Sequence, residues 1–516
     1  MTDDGRPAWS SVVRRLPSRK TVPDYLLGID QGTSGSRALI LDRDGQARGY
    51  GYQPVVRRHP HPDWVEQDPV ALKIGVRGAI LEALKQAGCA MADIAACGIA
   101  SQRDTDFVWD ARTRRPLADA ITWQDLRTLP LEDKLRRWPA SAEARRRLGY
   151  WPGPYSAALH LKWRLQNQPA VQAAARAGTL RVGLSALWLL NALGEPAGHL
   201  TDVSLAQSMC LYDFRAGGYW PEWLEWLGVP AAALPQVVPT VHEFGTLSMD
   251  GVPVPVLALI GDQQGALFGY DCRQPGDAEC THGTATFVNV CLGDQAPASE
   301  TIKVYVAWKL DGRATHCLEA DTTVTGAAVR WMRESAHLFE QDHDLGDLAG
   351  YVPDAGGVIF VPAFTGLNVP YNDREARGTL FGLTLGHDRR HIARAFLDSI
   401  GFQLRAILET IRAEAGLGVA RLNVGGGLSA SDLACQIQAD WLGVPVVRPE
   451  FKETTARAAA LLAGLGAGFW RSPADLPPLP GARAVFEPRL SADQRDAGYA
   501  AWQRAVRTVQ TWAHSP

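Results

Sequence analysis

Apolar runs and glycine-rich turns alternate near the start of the chain. The run from Tyr25 to Ile29 predicts a buried strand, Arg37 to Leu41 its hairpin partner, and Asp44-Gly45 the turn into a third strand. After Asp68-Pro69, which supplies a helix N-cap and a first-turn proline, apolar residues recur every four positions. They predict a helix with one buried face, formed by Leu72, Val76, Ile80 and Leu84.

The second half of the chain repeats this plan. A strand predicted from Ala278 to Thr281 leads into the turn Gly283-Thr284, and another apolar strand follows. Farther on, a long amphipathic helix is predicted from Ile392 to Ile411, and then a strand from Leu422 to Val424 that ends at three glycines. A strand, a glycine turn and a helix in this order are the sequence form of a nucleotide-binding corner.

Length and repetition together predict the domain organisation. A chain of 516 residues is too long for one ordinary core. We expect an α/β protein with two lobes, residues 24–265 and 266–516, and a cleft between them. Residues 1–23 lack periodicity and predict a loose N-terminal extension.

Charge and cysteine usage narrow the class of partner. The net charge of -3, from 52 basic and 55 acidic residues, provides no positive field for nucleic acid or an anionic membrane. The eight cysteines include no Cys-x-x-Cys pair, which argues against a zinc site and a secreted disulfide framework. The chain also shows no signal peptide and no apolar run of about 18 residues. We therefore expect a cytoplasmic protein with a small-molecule partner.

One turn combines the groups that grip phosphate. The octet Asp-Gln-Gly-Thr-Ser-Gly-Ser-Arg starts at Asp30; its glycines let backbone N–H groups approach phosphate oxygens, and Thr33, Ser34 and Arg37 add donors. The Asp30 carboxylate can hold a magnesium ion directly or through water. The turn Gly283-Thr284 is a second candidate of this kind. The alternative for such a turn is an ordinary Gly/Ser hairpin.

A carboxylate lies between the two turns in the sequence. Asp262 follows the apolar run from Val256 to Ile260, which places it at the end of a buried strand. There it can accept the proton of an attacking hydroxyl, as phosphoryl transfer to an alcohol requires. The alternative is a helix N-cap, because Asp is a preferred cap and an apolar helical stretch follows.

Arg103 and Asp104 also follow an apolar strand, predicted from Ile94 to Ala100. Their paired donors and acceptors suit the adjacent hydroxyls of a polyol, and the alternative is a surface ion pair. No zincin, serine-hydrolase or P-loop pattern occurs. On general grounds, three aromatic residues are predicted to be core residues rather than substrate walls: Trp123, Tyr155 and Phe287.

Several motifs occur in a fixed order between Tyr25 and Trp470: Asp30-Gln31-Gly32-Thr33, residues 64–69, Gln102-Arg103, Trp123-Gln124-Asp125, Gly261-Asp262-Gln263-Gln264, residues 362–367 and residues 464–470. In this order they resemble the FGGY carbohydrate kinase family, and within it most closely the kinases of glycerol. The stretch from Gly378 to Asp398 is similar to the C-terminal signature of the family.

The resemblance implies two actin-like (ribonuclease H-like) lobes that close over the substrates. It implies ATP and Mg²⁺ as cofactors, with Asp30 at the metal and Asp262 as the general base. It also implies polyol binding by the lobe 24–265 and nucleotide binding by the lobe 266–516. The polyol pocket would add to Asp262 the residues Arg103, Asp104, Trp123, Tyr155, Gln263 and Phe287. The nucleotide site would comprise Thr33, Ser34, Arg37, Gly283, Thr284, Gly326, Arg330, Gly426, Gly427 and Ser431.

The chain departs from the family pattern at several of these positions. Asp104 stands where glycerol kinases carry Glu, and Gly425 replaces an Asp before two glycines. Ser431 replaces an Asn, and Arg330 replaces a nucleotide-site Gln. The resemblance therefore fixes the type of reaction more tightly than the substrate or the nucleotide.

The sequence predicts an ATP- and Mg²⁺-dependent kinase that phosphorylates a terminal hydroxyl of glycerol or a similar short polyol. Two alternatives stay open: a tetritol, pentitol or ketose kinase of the same family, and a polyol-binding regulator without turnover. The presence of Asp30, Thr284 and Asp262 favours catalysis. Self-association into a homo-oligomer is compatible with the sequence.

Overall fold

The computed structural model describes residues 23–322, 324–342 and 344–515, so all but residue 23 of the predicted N-terminal extension lies outside the described residues. The strands are β1 (Tyr25–Gln31), β2 (Gly35–Leu41), β3 (Ala47–Pro54), β4 (Glu66–Gln67), β5 (Ile94–Ser101), β6 (Phe107–Asp110), β7 (Ala120–Ile121), β8 (Leu180–Gly183), β9 (Gly194–Pro196), β10 (Leu200–Asp202), β11 (Tyr212–Asp213), β12 (Gly218–Tyr219), β13 (Gln236–Val238), β14 (Val241–Met249), β15 (Val252–Gly261), β16 (Ala278–His282), β17 (Thr286–Gly293), β18 (Lys303–Leu310), β19 (Arg313–Thr322), β20 (Ile359–Val361), β21 (Thr379–Phe381), β22 (Leu422–Gly426), β23 (Val446–Pro449) and β24 (Arg483–Phe486).

The helices alternate with these strands, as expected for an α/β protein. They are α1 (Pro69–Ala87), α2 (Leu129–Arg136), α3 (Ser141–Leu148), α4 (Ala157–Asn167), α5 (Pro169–Arg176), α6 (Ser185–Leu193), α7 (Val203–Ser208), α8 (Pro221–Leu227), α9 (Asp262–Gly269), α10 (Gly326–Glu334), α11 (Asp344–Gly350), α12 (Arg389–Ala415), α13 (Asp432–Leu442), α14 (Thr454–Gly466) and α15 (Ala492–Ala513). In the described ranges, no helix combines the length and the apolar character needed to cross a membrane.

The described residues form two compact units, and each unit is built from segments that are not contiguous in the sequence. The first unit contains the chain up to Asp271 together with Tyr305–His316 and Glu453–Pro480. The second contains Cys272–Val304, Cys317–Lys452 and the chain from Gly481 onward. Most of β18, the turn into β19 and helix α14 therefore belong to the first unit.

The sheet of the first unit has the order β3-β2-β1-β5-β15-β14-β9. Strands β1, β2 and β3 form the predicted antiparallel meander, and β5 and β15 add to β1 in parallel. The predicted cap of α1 is confirmed, because the Asp68 carboxylate accepts the backbone N–H groups of Val70 and Ala71. The predicted buried face is confirmed as well: Leu72, Val76, Ile80 and Leu84 are all buried.

The second large sheet has the order β18-β19-β17-β16-β22-β23-β24. Strands β16 and β17 pair antiparallel, and β22 and β23 continue the sheet in parallel, so the arrangement of β2, β1, β5 and β15 recurs. The predicted repetition is thus confirmed. The predicted long helix is α12, and the strand, glycine turn and helix near residue 425 are β22 and α13 with a short 3₁₀ turn between them.

Helix α14 lies directly on the backbone of the first sheet. A Cβ atom on Gly28 would lie 1.9 Å from the carbonyl oxygen of Ala456, and one on Gly98 would lie 2.0 Å from that of Ala459. Only glycine permits this approach, because any side chain would push the helix away. The fully buried Arg457 in α14 donates a hydrogen bond of 2.7 Å to the Gly269 carbonyl at the end of α9.

A buried arginine links two of the sequence motifs. The Arg127 guanidinium lies 3.8 Å from the ring centroid of Trp64 and forms ion pairs with Asp125 at 2.8 Å and Glu66 at 2.7 Å. Both carboxylates therefore have the partner that a buried charge requires. These motif positions stabilise the fold of the first unit.

Glu279 in β16 makes the stability of the fold depend on pH. It is fully buried, and burial raises its pKa to about 7, although hydrogen bonds from Asn289 and Thr281 act in the opposite direction. A carboxyl with a raised pKa stabilises the folded state below its unfolded pKa of about 4.5, and this contribution is lost as the pH rises through about 7.

We expect Glu279→Gln to change the free energy of unfolding more favourably at pH 8 than at pH 5, by about 2–3 kcal/mol. An amide keeps an acceptor for Asn289 and Thr281 but cannot ionise. Unfolding temperatures between pH 5 and 9 would measure the effect, with Glu300→Gln as the control at an exposed position. Parallel pH curves for the parent and Glu279→Gln would contradict this account.

Candidate functional site

The first predicted phosphate turn joins β1 to β2. It is closed by a hydrogen bond of 3.0 Å from the Gly32 N–H to the Gly35 carbonyl. Thr33 is half-buried and Ser34 is exposed, so both residues are accessible to solvent at the end of the hairpin. Asp30 and Arg37 are paired across the two strands at the base of the turn.

Asp30 lies in an unusual electrostatic setting. Its side chain is 12% exposed, and burial raises its pKa to about 6. Arg37 lowers that pKa from 3.3 Å away, whereas Glu453 raises it. Arg37 also lies 3.5 Å from Glu453, so one guanidinium serves two carboxylates. The sequence analysis missed Glu453, because it is more than 400 residues from Asp30 along the chain and belongs to no recognised motif.

The donor set at Asp30 fits a hard divalent cation. In the described part of the chain, no three His, Cys, Asp or Glu side chains converge on one point. Mg²⁺ characteristically takes one or two carboxylates and completes its coordination with waters and substrate phosphates. Asp30 supplies a buried carboxylate oxygen next to a phosphate-type turn, and because Asp30 and Glu453 share one guanidinium, the group carries the excess negative charge that such an ion needs.

Asp262 is the first residue of α9, directly after β15. The alternative that it is the N-cap is wrong, because Gly261 holds the cap position and makes no side-chain cap bond. The Asp262 carboxylate accepts the backbone N–H of Gln263 at 2.8 Å and lies 3.5 Å from Nε of Arg103. Its side chain is 23% exposed, so the carboxylate combines a fixed orientation with solvent access.

Arg103 and Asp104 are buried rather than on the surface. The Arg103 side chain is 9% exposed and forms an ion pair with Asp262, so the alternative that Arg103 lies in an ion pair on the surface is wrong. Asp104 is 8% exposed and has a φ of 53°, in the left-handed region. Its carboxylate accepts the Tyr150 hydroxyl at 3.4 Å. Burial, followed by the Asp104 charge, raises the pKa of Tyr150 well above its usual value.

The other predicted polyol residues are distributed over both units. Gln263 is half-buried in α9, next to Asp262. Tyr155 is half-buried, and its hydroxyl donates to the Trp151 carbonyl at 2.9 Å. Phe287 belongs to the second unit, where it is half-buried in β17. Tyr155 and Phe287 are therefore only partly buried, whereas general grounds predicted that both would be core residues.

A closed ring of hydrogen bonds connects Trp123 with the first phosphate turn. The Trp123 indole donates to the Thr33 hydroxyl at 2.8 Å, and the Trp123 backbone N–H donates to the Thr105 hydroxyl at 3.3 Å. Thr105 donates to Gln102, Gln102 donates to Gln67, and Gln67 donates to the Thr33 carbonyl. The two glutamines and Thr105 are fully buried, so each of these groups needs the bond it makes. The ring places the turn and the Gln102-Arg103 motif in one network.

The second predicted phosphate turn joins β16 to β17 and carries the start of α10. Gly283 and Thr284 are both exposed. Their carbonyls accept N–H groups from Gly326 at 3.1 Å and Thr325 at 3.0 Å. A Cβ atom on Gly326 would lie 2.6 Å from the Gly283 carbonyl oxygen, so this approach requires glycine. Arg330 lies one turn farther along α10 and is exposed.

The glycine corner after β22 lies against the same turn. Gly426 has a φ of 84°, and a Cβ atom there would lie 2.2 Å from the His282 carbonyl oxygen. Gly427 begins the short 3₁₀ turn, and the Ser431 hydroxyl caps α13 by accepting the Ala434 N–H. Two of the predicted nucleotide glycines, Gly326 and Gly426, thus lie against the segment His282–Thr284.

His282 shows no sign of a catalytic role. It is buried, and its ring nitrogens are hydrogen-bonded to Thr286 and Gln438. Burial lowers its pKa to about 4. The neutral ring therefore supports the backbone before Gly283.

Comparisons with known proteins agree along nearly the whole chain. The family models for the N-terminal and C-terminal domains of the FGGY family of carbohydrate kinases match residues 25–269 and 278–467. Glycerol kinase of Symbiobacterium thermophilum is 40% identical over 492 residues, which cover 95% of this chain and 99% of that protein. Glycerol kinase of Aromatoleum aromaticum is 41% identical over 492 residues, which also cover 95% of this chain and 99% of that protein.

A solved structure supports the same relationship. The crystal structure of Plasmodium falciparum glycerol kinase with ADP has a TM-score of 0.87 and 26% sequence identity, and covers 94% of this chain and 98% of that one. The predicted actin-like two-lobe fold and the resemblance inferred from the motifs are confirmed. The chain belongs to the FGGY family of carbohydrate kinases.

Proposed function

We propose that this chain transfers the γ-phosphoryl group of ATP to a terminal hydroxyl of glycerol or a similar short polyol. The observation that carries the proposal is the pairing of Asp262 with Arg103 at 3.5 Å, at the carboxyl end of β15. It provides a base and a hydrogen-bond donor for vicinal hydroxyls. The relatives at about 40% identity are named glycerol kinases, which favours a three-carbon substrate.

Asp262 would accept the proton of the attacking hydroxyl. Its orientation is held by the Gln263 N–H and the Arg103 guanidinium. Arg103 would donate to polyol oxygens, and Asp104 would accept from a polyol hydroxyl. The walls of the polyol pocket would be Trp123, Tyr155, Gln263 and Phe287.

ATP would be bound by the two glycine turns. The turn of Thr33 and Ser34, with Arg37 at its base, would supply donors from one side. Asp30 would hold Mg²⁺, which would neutralise charge on the phosphates. The remaining nucleotide contacts would come from Gly283, Thr284, Gly326, Arg330, Gly426, Gly427 and Ser431. We propose that the lobe 24–265 binds the polyol and the lobe 266–516 binds the nucleotide, with two exceptions: Phe287 contributes to the polyol pocket, and the Thr33 turn with Asp30 contributes to the nucleotide site. A cytoplasmic location, the absence of nucleic-acid and membrane partners, and homo-oligomer formation stay predictions.

A substrate panel tests the function directly. ADP release would be measured with Mg²⁺-ATP and each of glycerol, erythritol, xylitol, ribitol and D-xylulose. The proposal predicts the highest kcat/KM for glycerol or erythritol. A pentitol or ketose as the best substrate would establish the alternative kinase. Polyol binding by calorimetry without ADP release would establish the regulator.

We expect Asp262→Asn to remain folded and to lose turnover by about 100- to 10,000-fold, the usual cost of a missing general base. The amide keeps an acceptor for the Gln263 N–H. Asp250→Asn, on the exposed turn between β14 and β15, is the matched control and should keep parent activity. Near-parent turnover of a folded Asp262→Asn would exclude Asp262 as the base.

We expect Asp104→Glu to shift the ratio of kcat/KM toward glycerol relative to erythritol by about tenfold. The longer side chain extends the carboxylate by one methylene into space that a fourth carbon would use, and site groups left unpaired discriminate between substrates. Tyr150→Phe is the companion variant, because it removes the hydroxyl on Asp104 without lengthening the side chain. If the ratio is the same in the parent and in Asp104→Glu, Asp104 does not determine substrate length.

We expect Trp123→Phe to lower kcat about 3- to 10-fold, because the phenyl ring keeps the wall but loses the bond to Thr33. The double variant with Thr33→Val should be no worse than Thr33→Val alone. A thermodynamic cycle on kcat would then give a coupling of about 0.5–1.5 kcal/mol. Additive effects of the two substitutions would show that the bond does not position the turn.

A further inference from the structure

Strand β18 places an aromatic ring, that of Tyr305, next to the proposed polyol residues. Tyr305 is 2% exposed, and its ring centroid lies 4.7 Å from the Arg103 guanidinium carbon. The same ring lies 5.1 Å from the ring of Tyr150, whose hydroxyl contacts Asp104. Tyr305 thus contacts Arg103 directly and is linked to Asp104 through Tyr150. No motif in the sequence analysis includes it.

Arg103 contacts both this ring and the proposed base, Asp262. Its guanidinium has the Tyr305 ring on one side and the Asp262 carboxylate 3.5 Å from Nε. An arginine side chain loses much rotamer entropy when it is held in one geometry. A cation–π contact offsets that loss, and it is strongest where water is excluded. The Arg103 side chain is only 9% exposed, so the contact operates under those conditions.

The hairpin itself is fixed, so Tyr305 has a defined position. The Val306 N–H donates to the Gln207 side chain at 2.7 Å, and Gln207 in turn donates to the Leu148 carbonyl at 2.9 Å. Farther along the strand, Lys309 and Thr240 exchange two hydrogen bonds, of 3.0 and 3.1 Å. These bonds hold the strand backbone that directly follows Tyr305.

We propose that Tyr305 is a positioning residue for the polyol end of the site, whose ring holds the Arg103 guanidinium in the orientation that pairs with Asp262. The inference rests on the proposed function, because it requires Arg103 to contact the polyol. A residue that only filled space in the core would change stability without changing polyol affinity selectively. A positioning residue changes the KM for the polyol and kcat, and leaves the KM for ATP near its parent value.

The test compares Tyr305→Leu, which removes the ring, with Tyr305→Phe, which keeps it. We expect Tyr305→Leu to raise the KM for glycerol about 10- to 30-fold and to lower kcat, which corresponds to a desolvated cation–π contact. The KM for ATP should stay within twofold of the parent. Tyr305→Phe should restore the KM for glycerol to within about threefold. If Tyr305→Leu does not fold, Tyr305→Met, which fills more of the same space without a ring, takes its place.

Trp308→Leu is the control on the same strand. Trp308 is buried against Phe268 at a ring distance of 5.1 Å. Its loss should lower the unfolding temperature and leave the KM for glycerol unchanged, which separates core damage from loss of positioning.

Three results would overturn the inference. The first is that the parent is active and the KM of Tyr305→Leu for glycerol lies within twofold of the parent value. This result would contradict the role of Tyr305 but not the proposed function. The second is an equal rise in Tyr305→Leu and Tyr305→Phe, which would assign the effect to the hydroxyl rather than the ring. The third is a parent that releases no ADP with any short polyol, which overturns the proposed function and the inference with it.

Discussion

The close approach of helix α14 to the first sheet is the constraint on which the proposed metal end of the site depends. Because Gly28 and Gly98 carry no Cβ, the helix lies on the strand backbones, and the Ala456 and Ala459 carbonyls occupy the space that side chains would fill. That contact brings Glu453, which immediately precedes α14, to Arg37 and Asp30. A larger residue at either glycine would shift the helix and change the charge around Asp30.

The polyol end depends on a different constraint, the burial of polar groups that must all find partners. Arg103 lies between Tyr305 and Asp262, and Gln102, its neighbour, belongs to the hydrogen-bonded ring that includes Thr33 and Trp123. Burying an unpaired amide or charge is costly. The backbone of this segment therefore has little freedom, and the left-handed Asp104 is held within it.

The sequence identified the local parts of this arrangement well. The meander of β1 to β3, the cap at Asp68 and the buried face of α1 follow from short-range periodicity and capping chemistry, and all three were confirmed. The sequence could not decide between alternative roles of a residue when the choice depends on burial. Asp262 could be read as a helix cap and Arg103 with Asp104 as a surface pair, because a sequence does not show where a helix begins to the residue or which charged side chains become buried.

The sequence by itself determined the α/β class, the repeated strand–turn plan and the membership of a kinase family, because these depend on residues close together in the chain or on motifs in a fixed order. Only the tertiary structure decided the partners of Asp30 and Arg103. Glu453 reaches Arg37 because α14 packs on β1, and Tyr305 reaches Arg103 because the segment Tyr305–His316 packs against the first unit rather than the second. Contacts between residues hundreds of positions apart are set by how elements pack, and no local pattern records that packing.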